Sequence, residues 1–157
     1  MSSAAALLCK SAAAMAESVR AGTVSASALV QASLARIEAT DGRVNAFTER
    51  TQRRALQRAA AIDLQLAAGD GAHALRSLPL LGVPFAVKNL FDIEGVSTLA
   101  GSKIERESPP AKADAVLVQR LEAAGAVLVG ALNMDEYAYG FTTENSHVGP
   151  ARNPHDL

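Results

Sequence analysis

Lys88 is the residue whose place in the sequence most favours a chemical role. It directly follows the apolar residues Phe85, Ala86 and Val87, at the expected end of a buried strand. A lysine that is removed from water loses its proton more readily, and it can then act as a general base. The alternative, and the commoner situation for a lysine at a strand end, is a side chain that carries its charge out to solvent.

The other polar groups give weaker signals. Asp135 and Glu136 are adjacent, and adjacent residues on a helix do not face each other, so a paired acid–base dyad is not expected. His73, His147 and His155 lack the spacing and the number of ligands that a closed metal site needs. The sequence also contains neither a Walker phosphate loop nor a glycine-rich dinucleotide motif. We therefore expect no metal site.

The first third of the sequence predicts helices that stop at glycines. The three expected helices span residues 12–21, 25–42 and 51–68. Gly22, Gly42 and Gly69 follow or end these runs, and glycine is the usual residue at a helix C-terminus. Either Ser25 or Ser27 caps the second helix, since serine side chains accept hydrogen bonds from free N–H groups of the first turn. Residues 44–48 are expected to form a short extended piece.

The rest of the sequence predicts a strand, a helix and a second strand in that order. The expected strands are residues 83–88 and 126–130, both apolar on both faces, and this order favours a parallel pair in a sheet covered by helices. The expected helix, residues 115–124, is capped by Asp114. Its predicted buried side consists of Val116, Leu117 and Leu121. Residues 99–110 are expected to form a loop, and residues 133–139 a further helical turn.

Composition limits the class of function. The 157 residues are 49% hydrophobic and 20% charged, which is typical of a soluble globular domain. The formal net charge is −1 and no basic stripe is present, so direct nucleic-acid binding is not expected. Cys9 is the only cysteine, and the apolar stretch of residues 4–9 is too short for a signal peptide or a membrane span. We expect a cytoplasmic protein without membrane contact.

Three segments together resemble the amidase signature family. Residues 79–89 read PLLGVPFAVKN and are similar to the family's L-x-G-V-P-x-x-V-K-D element, in which the lysine is catalytic. Residues 114–130 resemble the helix and strand that follow in these enzymes. Residues 133–154 resemble the stretch before the family's glycine- and serine-rich loop. The resemblance runs from about Ala14 to Leu157 in the family's order and spacing.

Within the family, two groups look most similar. Residues 88–92, 99–103 and 137–145 look most like the carboxybiuret hydrolase-like amidohydrolases. The A subunit of the glutamyl-tRNA(Gln) amidotransferase is the next most similar group. Asn89 stands where many relatives have Asp.

The resemblance implies an α/β fold, with N-terminal helices followed by the first strands of a mixed sheet covered by helices. This chain would form one partial domain, residues 1–157, with a helical region at 12–70 and the start of the catalytic core at 79–157. The implied activity is hydrolysis of a C–N amide bond by a Ser-cisSer-Lys triad without metal or organic cofactor, with Lys88 as the base. Met134 is expected near the substrate pocket, and a packed core methionine is the alternative.

The serines of the sequence do not complete that triad. Ser97, Ser102, Ser108 and Ser146 do not match the family's serine motif, so we expect an N-terminal fragment that is inactive alone. Two other functions stay open: the glutamine amidase subunit of a tRNA-dependent amidotransferase, and a non-catalytic assembly module. The expected partners are a small-molecule amide substrate and either a small partner subunit or a second copy of the chain.

Overall fold

A computed structural model describes residues 3–69 and 72–156. Positions 1, 2, 70, 71 and 157, which the expected domain 1–157 includes, lie outside the described residues, as does the last position of the expected helical region 12–70. The helices are α1 Ala4–Leu7, α2 Ala12–Arg20, α3 Ala26–Val44, α4 Gln52–Ala68, α5 Ala72–Arg76 and α6 Val116–Ala123. The strands are β1 Phe47–Arg50, β2 Pro84–Lys88, β3 Val127–Leu132, β4 Glu144–Asn145 and β5 Gly149–Pro150. Two short 3-10 turns cover Ile104–Glu107 and Glu136–Ala138.

The helix boundaries follow local capping. The Ser11 hydroxyl accepts the Ala14 N–H at 3.2 Å at the start of α2. Ser25, one of the two predicted caps, accepts the Ala28 N–H at 3.0 Å at the start of α3. Gly22 and Gly69 follow α2 and α4 with φ of 70° and 81°, which confirms both predicted stops.

The predicted end of α3 near Gly42 was wrong. The helix continues to Val44, and Asn45 follows with a φ of 56°. The Asn45 N–H donates to the Asp41 carbonyl at 2.7 Å, so Asn45 forms the left-handed cap that the sequence pattern favoured at glycine. Asparagine is the residue that most often replaces glycine in this conformation.

Strands β1, β2 and β3 form one sheet in the order β1–β3–β2. Strand β1 is antiparallel to β3, with Phe47 opposite Leu132 and Arg50 opposite Gly130. The Val127 N–H donates to the Val83 carbonyl at 2.8 Å, and the Asn89 N–H donates to the Leu132 carbonyl at 2.9 Å. The residue numbers increase on both strands from the first of these hydrogen bonds to the second. Strands β2 and β3 therefore run parallel, as the strand–helix–strand pattern predicts.

The predicted buried face of α6 was wrong. Val116 and Leu117 are 60% and 52% exposed, Leu121 is half-buried, and Val118 is the buried residue of this helix. Apolar residues lie on more than one side of α6, so the sequence pattern does not decide which side packs. The Asp114 carboxylate accepts the Glu94 N–H at 2.9 Å, and its predicted role as the cap of α6 stays a prediction.

The described chain forms two compact units. The first comprises Met1–Ile37, Thr51–Phe85 and Arg120–Val129, and the second comprises Glu38–Arg50, Ala86–Gln119 and Gly130–Leu157. The core of the first unit combines fully buried alanines, Ala26, Ala55 and Ala59, with larger buried side chains such as Leu29 and Ile62. The Asp63 carboxylate there accepts the N–H groups of Ala26 and Ser27, at 2.8 and 3.0 Å. Asp63 thereby supplies acceptors for two backbone N–H groups at the N-terminus of α3, where the helix itself offers none.

The core of the second unit lies around the ends of β2 and β3. Its fully or almost fully buried apolar side chains are those of Ile93, Val118, Ala131 and Met134. Asn89, Asn133 and Asn145 are also buried in this unit, and their side chains form hydrogen bonds to loops. Within residues 3–69 and 72–156, no helix is long and apolar enough to cross a membrane.

The close pairing of β1 and β3 makes a prediction about Gly130. A Cβ at this position would lie 2.4 Å from the Glu49 carbonyl oxygen and 2.9 Å from the Phe47 ring. We expect Gly130→Ala to lower the free energy of unfolding by about 1–3 kcal/mol, because the backbone of β1 has to move. Urea unfolding followed by circular dichroism measures this change.

Gly42→Ala is the matched control. No atom lies within 4 Å of a Cβ at Gly42, which sits inside α3. This substitution is expected to leave stability unchanged or raise it by up to about 1 kcal/mol, since alanine is the better helix former. Equal stability of the two variants would contradict the tight β1–β3 pairing.

Candidate functional site

Lys88 is the last residue of β2, and it is half-buried. Its side chain forms no hydrogen bond and no ion pair with any residue among 3–69 and 72–156. The backbone around it is fixed, because the Lys88 carbonyl accepts the Phe91 N–H at 3.1 Å and closes a turn directly after the strand. The side-chain amine therefore sits on an anchored backbone, with no counter-ion among the described residues.

Asn89 provides most of that anchoring. It is 2% exposed, and its side chain donates to the Thr48 hydroxyl at 2.8 Å and accepts the Leu99 N–H at 3.0 Å. Its backbone N–H donates to the Leu132 carbonyl at 2.9 Å, and its carbonyl accepts the Ala100 N–H at 2.8 Å. Both the backbone and the side chain of this buried residue are thus paired, as burial requires.

The loop that closes over Asn89 is held in a strained conformation. Ala100 has a φ of 46° and Tyr137 a φ of 49°, in the region that non-glycine residues seldom adopt. The two residues are joined by a hydrogen bond of 2.7 Å from the Tyr137 N–H to the Ala100 carbonyl. Such conformations cost on the order of 1 kcal/mol each, and they cluster at functional sites.

Asn145 connects three further segments of the second unit. Its amide nitrogen donates to the carbonyls of Gly101 and Met134, at 2.6 and 2.9 Å. Its amide oxygen accepts the N–H groups of His147 and Val148, at 2.7 and 3.2 Å. Gly101 has to be glycine in this arrangement, because its φ is 70° and a Cβ would lie 2.8 Å from the Met134 carbonyl oxygen.

Asp135 and Glu136 have separate partners. The Asp135 carboxylate accepts the N–H groups of Thr143 and Glu144, at 3.1 and 3.2 Å. Glu136 faces the His147 imidazole, with 3.5 Å between Oε1 and Nε2. The Ser102 side chain lowers the pKa of the Glu136 carboxyl most, and His147 lowers it further against an opposing effect of desolvation.

Asp135, Glu136 and His147 line an open cavity of about 410 Å³ in the second unit. Its lining is acidic and aromatic, and it consists of Asp135, Glu136, Tyr137, Tyr139, Glu144, Asn145, Ser146 and His147. The sequence does not predict this grouping, since nothing in the residue spacing pairs Glu136 with His147. The turn of residues 139–143 brings the two together, and Thr143 is in a left-handed conformation with a φ of 55°.

Met134 lies beside this cavity in sequence but does not line it. Its side chain is fully buried, and its backbone groups bond to Asn133 and Asn145. Its predicted approach to a substrate stays a prediction. Within the described ranges, no three His, Cys, Asp or Glu side chains lie close enough together to hold a metal ion.

The candidate serines are occupied elsewhere or lie apart from Lys88. Ser97 donates to the Ser108 carbonyl at 2.8 Å, and Ser108 donates to the Glu105 carboxylate at 2.8 Å. Ser102 lies next to Glu136, and Ser146 lines the cavity. Among the described residues, none of these hydroxyls bonds to the Lys88 side chain, and leaving them out of the triad stays a prediction.

Comparison with known proteins gives the same family throughout. Residues 28–157 match the Amidase family. The AtzE subunit of the 1-carboxybiuret hydrolase of Pseudomonas sp. (strain ADP) is 63% identical over 140 residues, covering 89% of this chain and 30% of that protein. The A subunit of the glutamyl-tRNA(Gln) amidotransferase of Anaeromyxobacter sp. (strain K) is 51% identical over 140 residues, covering 88% of this chain and 27% of that protein. The chain thus spans less than a third of the length of these relatives.

Solved structures agree in fold. A chain from an inhibitor-bound vestigial protein complex, described as revealing the evolutionary origins of an s-triazine catabolic enzyme, superimposes with a TM-score of 0.83 at 63% identity, over 89% of this chain and 30% of that one. The 6-aminohexanoate cyclic dimer hydrolase superimposes with a TM-score of 0.80 at 31% identity, over 94% of this chain and 28% of that one. Both confirm the predicted α/β fold as part of a larger architecture. The chain belongs to the Amidase family, the amidase signature enzymes.

Proposed function

We propose that the whole protein hydrolyses a C–N amide bond by a Ser-cisSer-Lys mechanism, with Lys88 as the general base. The observation that supports this proposal is the position of Lys88. It ends strand β2 inside the family's lysine element, on a backbone fixed by Asn89. Membership of the Amidase family supports the reaction class.

In the proposed reaction, neutral Lys88 takes a proton through a middle serine, and a second serine attacks the amide carbonyl. Backbone N–H groups hold the oxyanion, the amine leaves with a proton, and water then releases the acid from the acyl-enzyme.

We further propose that the 157 residues have no amidase activity by themselves. The chain carries the lysine, but Ser97, Ser102, Ser108 and Ser146 lie outside the family's serine motif. The serines of the triad would then lie in a part of the full-length protein that is outside these 157 residues. We also propose a cytoplasmic location, which the single exposed thiol of Cys9 fits.

The first candidate substrate is a carboxybiuret-type amide, and the supporting observation is the 63% identity to a 1-carboxybiuret hydrolase subunit. The second candidate is glutamine, with the protein as the amidase subunit of an amidotransferase, supported by 51% identity to such a subunit. A partner subunit fits both candidates, since one solved relative comes from a protein complex.

The base role is tested by Lys88→Met in the full-length protein. Methionine keeps an unbranched side chain but cannot accept a proton, so we expect kcat to fall by about 10²–10⁴-fold. Ammonia release from a primary amide measures the effect. Lys112→Met is the control, because Lys112 is an exposed lysine, and it should keep the original rate. A Lys88→Met protein with full kcat would rule out Lys88 as the base.

The substrate is tested by comparing 1-carboxybiuret with glutamine, each with and without added amidotransferase partner subunits. We expect kcat/KM for 1-carboxybiuret to exceed that for glutamine by at least about 10²-fold, and to be independent of those subunits. The reason is that hydrogen-bonding sites reject substrates that leave their polar groups unpaired. A glutaminase activity that depends on the partner subunits would favour the amidotransferase instead.

A further inference from the structure

We propose that Asn89 is a positioning residue for Lys88, and that it acts through its side-chain hydrogen bond to Thr48. This inference rests on the proposed role of Lys88 as the base. Asn89 itself is 2% exposed, so the effect we assign to it passes through the adjoining peptide and not through contact with substrate.

Asn89 directly follows Lys88, and it is hydrogen-bonded to two strands and a loop. Its backbone N–H bonds to Leu132 at the end of β3, and its carbonyl bonds to Ala100 in the following loop. Its side chain bonds to Thr48 in β1 and to Leu99 in the loop. These four hydrogen bonds, which we call the Asn89 clamp, hold this position from the sheet on one side and from the loop on the other.

The two side-chain hydrogen bonds at position 89 match the donor and the acceptor of an amide. The Thr48 hydroxyl donates to the Ala131 carbonyl at 3.3 Å, so its oxygen is left to accept a hydrogen bond. The Leu99 N–H needs an acceptor at the same place. Asparagine supplies both a donor and an acceptor from a single short side chain, whereas a carboxylate has no proton to donate. With aspartate at this position, the Thr48 hydroxyl would have to turn its proton from the Ala131 carbonyl to the carboxylate to keep a hydrogen bond.

The Asn89 clamp limits the backbone next to Lys88. With Asn89 fixed and the Lys88 carbonyl bonded to the Phe91 N–H, the backbone on the C-terminal side of Lys88 has little freedom. The side-chain rotamers are then the main freedom left to the amine. A neutral amide also places no charge next to the lysine. A base must meet its proton donor within hydrogen-bond reach, so a small displacement of this backbone affects the rate strongly.

The experiment uses the full-length protein with four variants. Asn89→Ala removes both side-chain hydrogen bonds, and Thr48→Val removes the acceptor for Asn89 with little change in shape. Thr48→Ser is the conservative variant, because it keeps the hydroxyl. Thr51→Val is the matched control: the Thr51 hydroxyl also donates to a β3 carbonyl, that of Leu128 at 2.9 Å, but has no bond to Asn89.

We expect Asn89→Ala and Thr48→Val to lower kcat by about 10- to 100-fold with little change in KM, as for a displaced catalytic group. Thr48→Ser and Thr51→Val should stay close to the unaltered protein. An unchanged kcat in Asn89→Ala would overturn the inference. An equal loss of kcat in Thr51→Val and Thr48→Val would also overturn the inference. The loss would then come from removing a hydroxyl that bonds to a β3 carbonyl, and not from the bond between Thr48 and Asn89.

A second measurement does not depend on catalysis. The rate at which acetic anhydride modifies Lys88, relative to exposed Lys112, reports the reactivity and surroundings of the lysine amine. We expect this ratio to change in Asn89→Ala and to stay constant in Thr51→Val. If Lys88→Met remains active but this ratio changes as expected, the base role fails while the clamp stands. If the ratio is constant in Asn89→Ala, the clamp itself is wrong.

Discussion

Lys88 is the last residue of β2, and Asn89, which follows it, is buried. The hydrogen bonds that pair the polar groups of Asn89 connect strands and loops of the second unit. A buried N–H or carbonyl without a partner costs about 1–3 kcal/mol, so each such group has to find one. Asn89 meets this requirement with four bonds, to Thr48, Leu99, Ala100 and Leu132. Because these bonds converge on the residue after Lys88, the anchoring of the lysine follows from the pairing of its neighbours.

The same requirement explains the unusual backbone of the following loop. Ala100 bonds to Asn89 through its N–H and to Tyr137 through its carbonyl, and it does so with a φ of 46°. Asn145 then ties Gly101 to residues 134 and 147, where only glycine leaves room at position 101. Two buried asparagines therefore hold the loop at successive points. Strain at Ala100 and Tyr137 persists because the hydrogen bonds on both sides allow no relaxed alternative.

The sequence predicts those features that depend on neighbouring residues. Ser25 as a cap and Gly22 and Gly69 as stops are local effects, and the parallel β2–β3 pair follows from the order of strand, helix and strand. The Glu136–His147 contact could not be predicted, because it depends on left-handed residues in the intervening turn, which L-amino acids seldom adopt. The Asn89 clamp was missed for a similar reason, since Thr48 lies 41 positions away.

The error at α6 has a different physical origin. Val116 and Leu117 are exposed, and so are Tyr139 and Phe141 at 96% and 104%. Hydrophobic positions in a sequence record burial in the whole protein, and this chain covers about 30% of the relative it matches at 63% identity. A face that a longer protein or a partner covers would carry the hydrophobic pattern of a core in the sequence. The same face would be exposed in the structure of these residues alone. The apolar pattern on α6 therefore does not describe the packing of this helix within the residues that the structure describes.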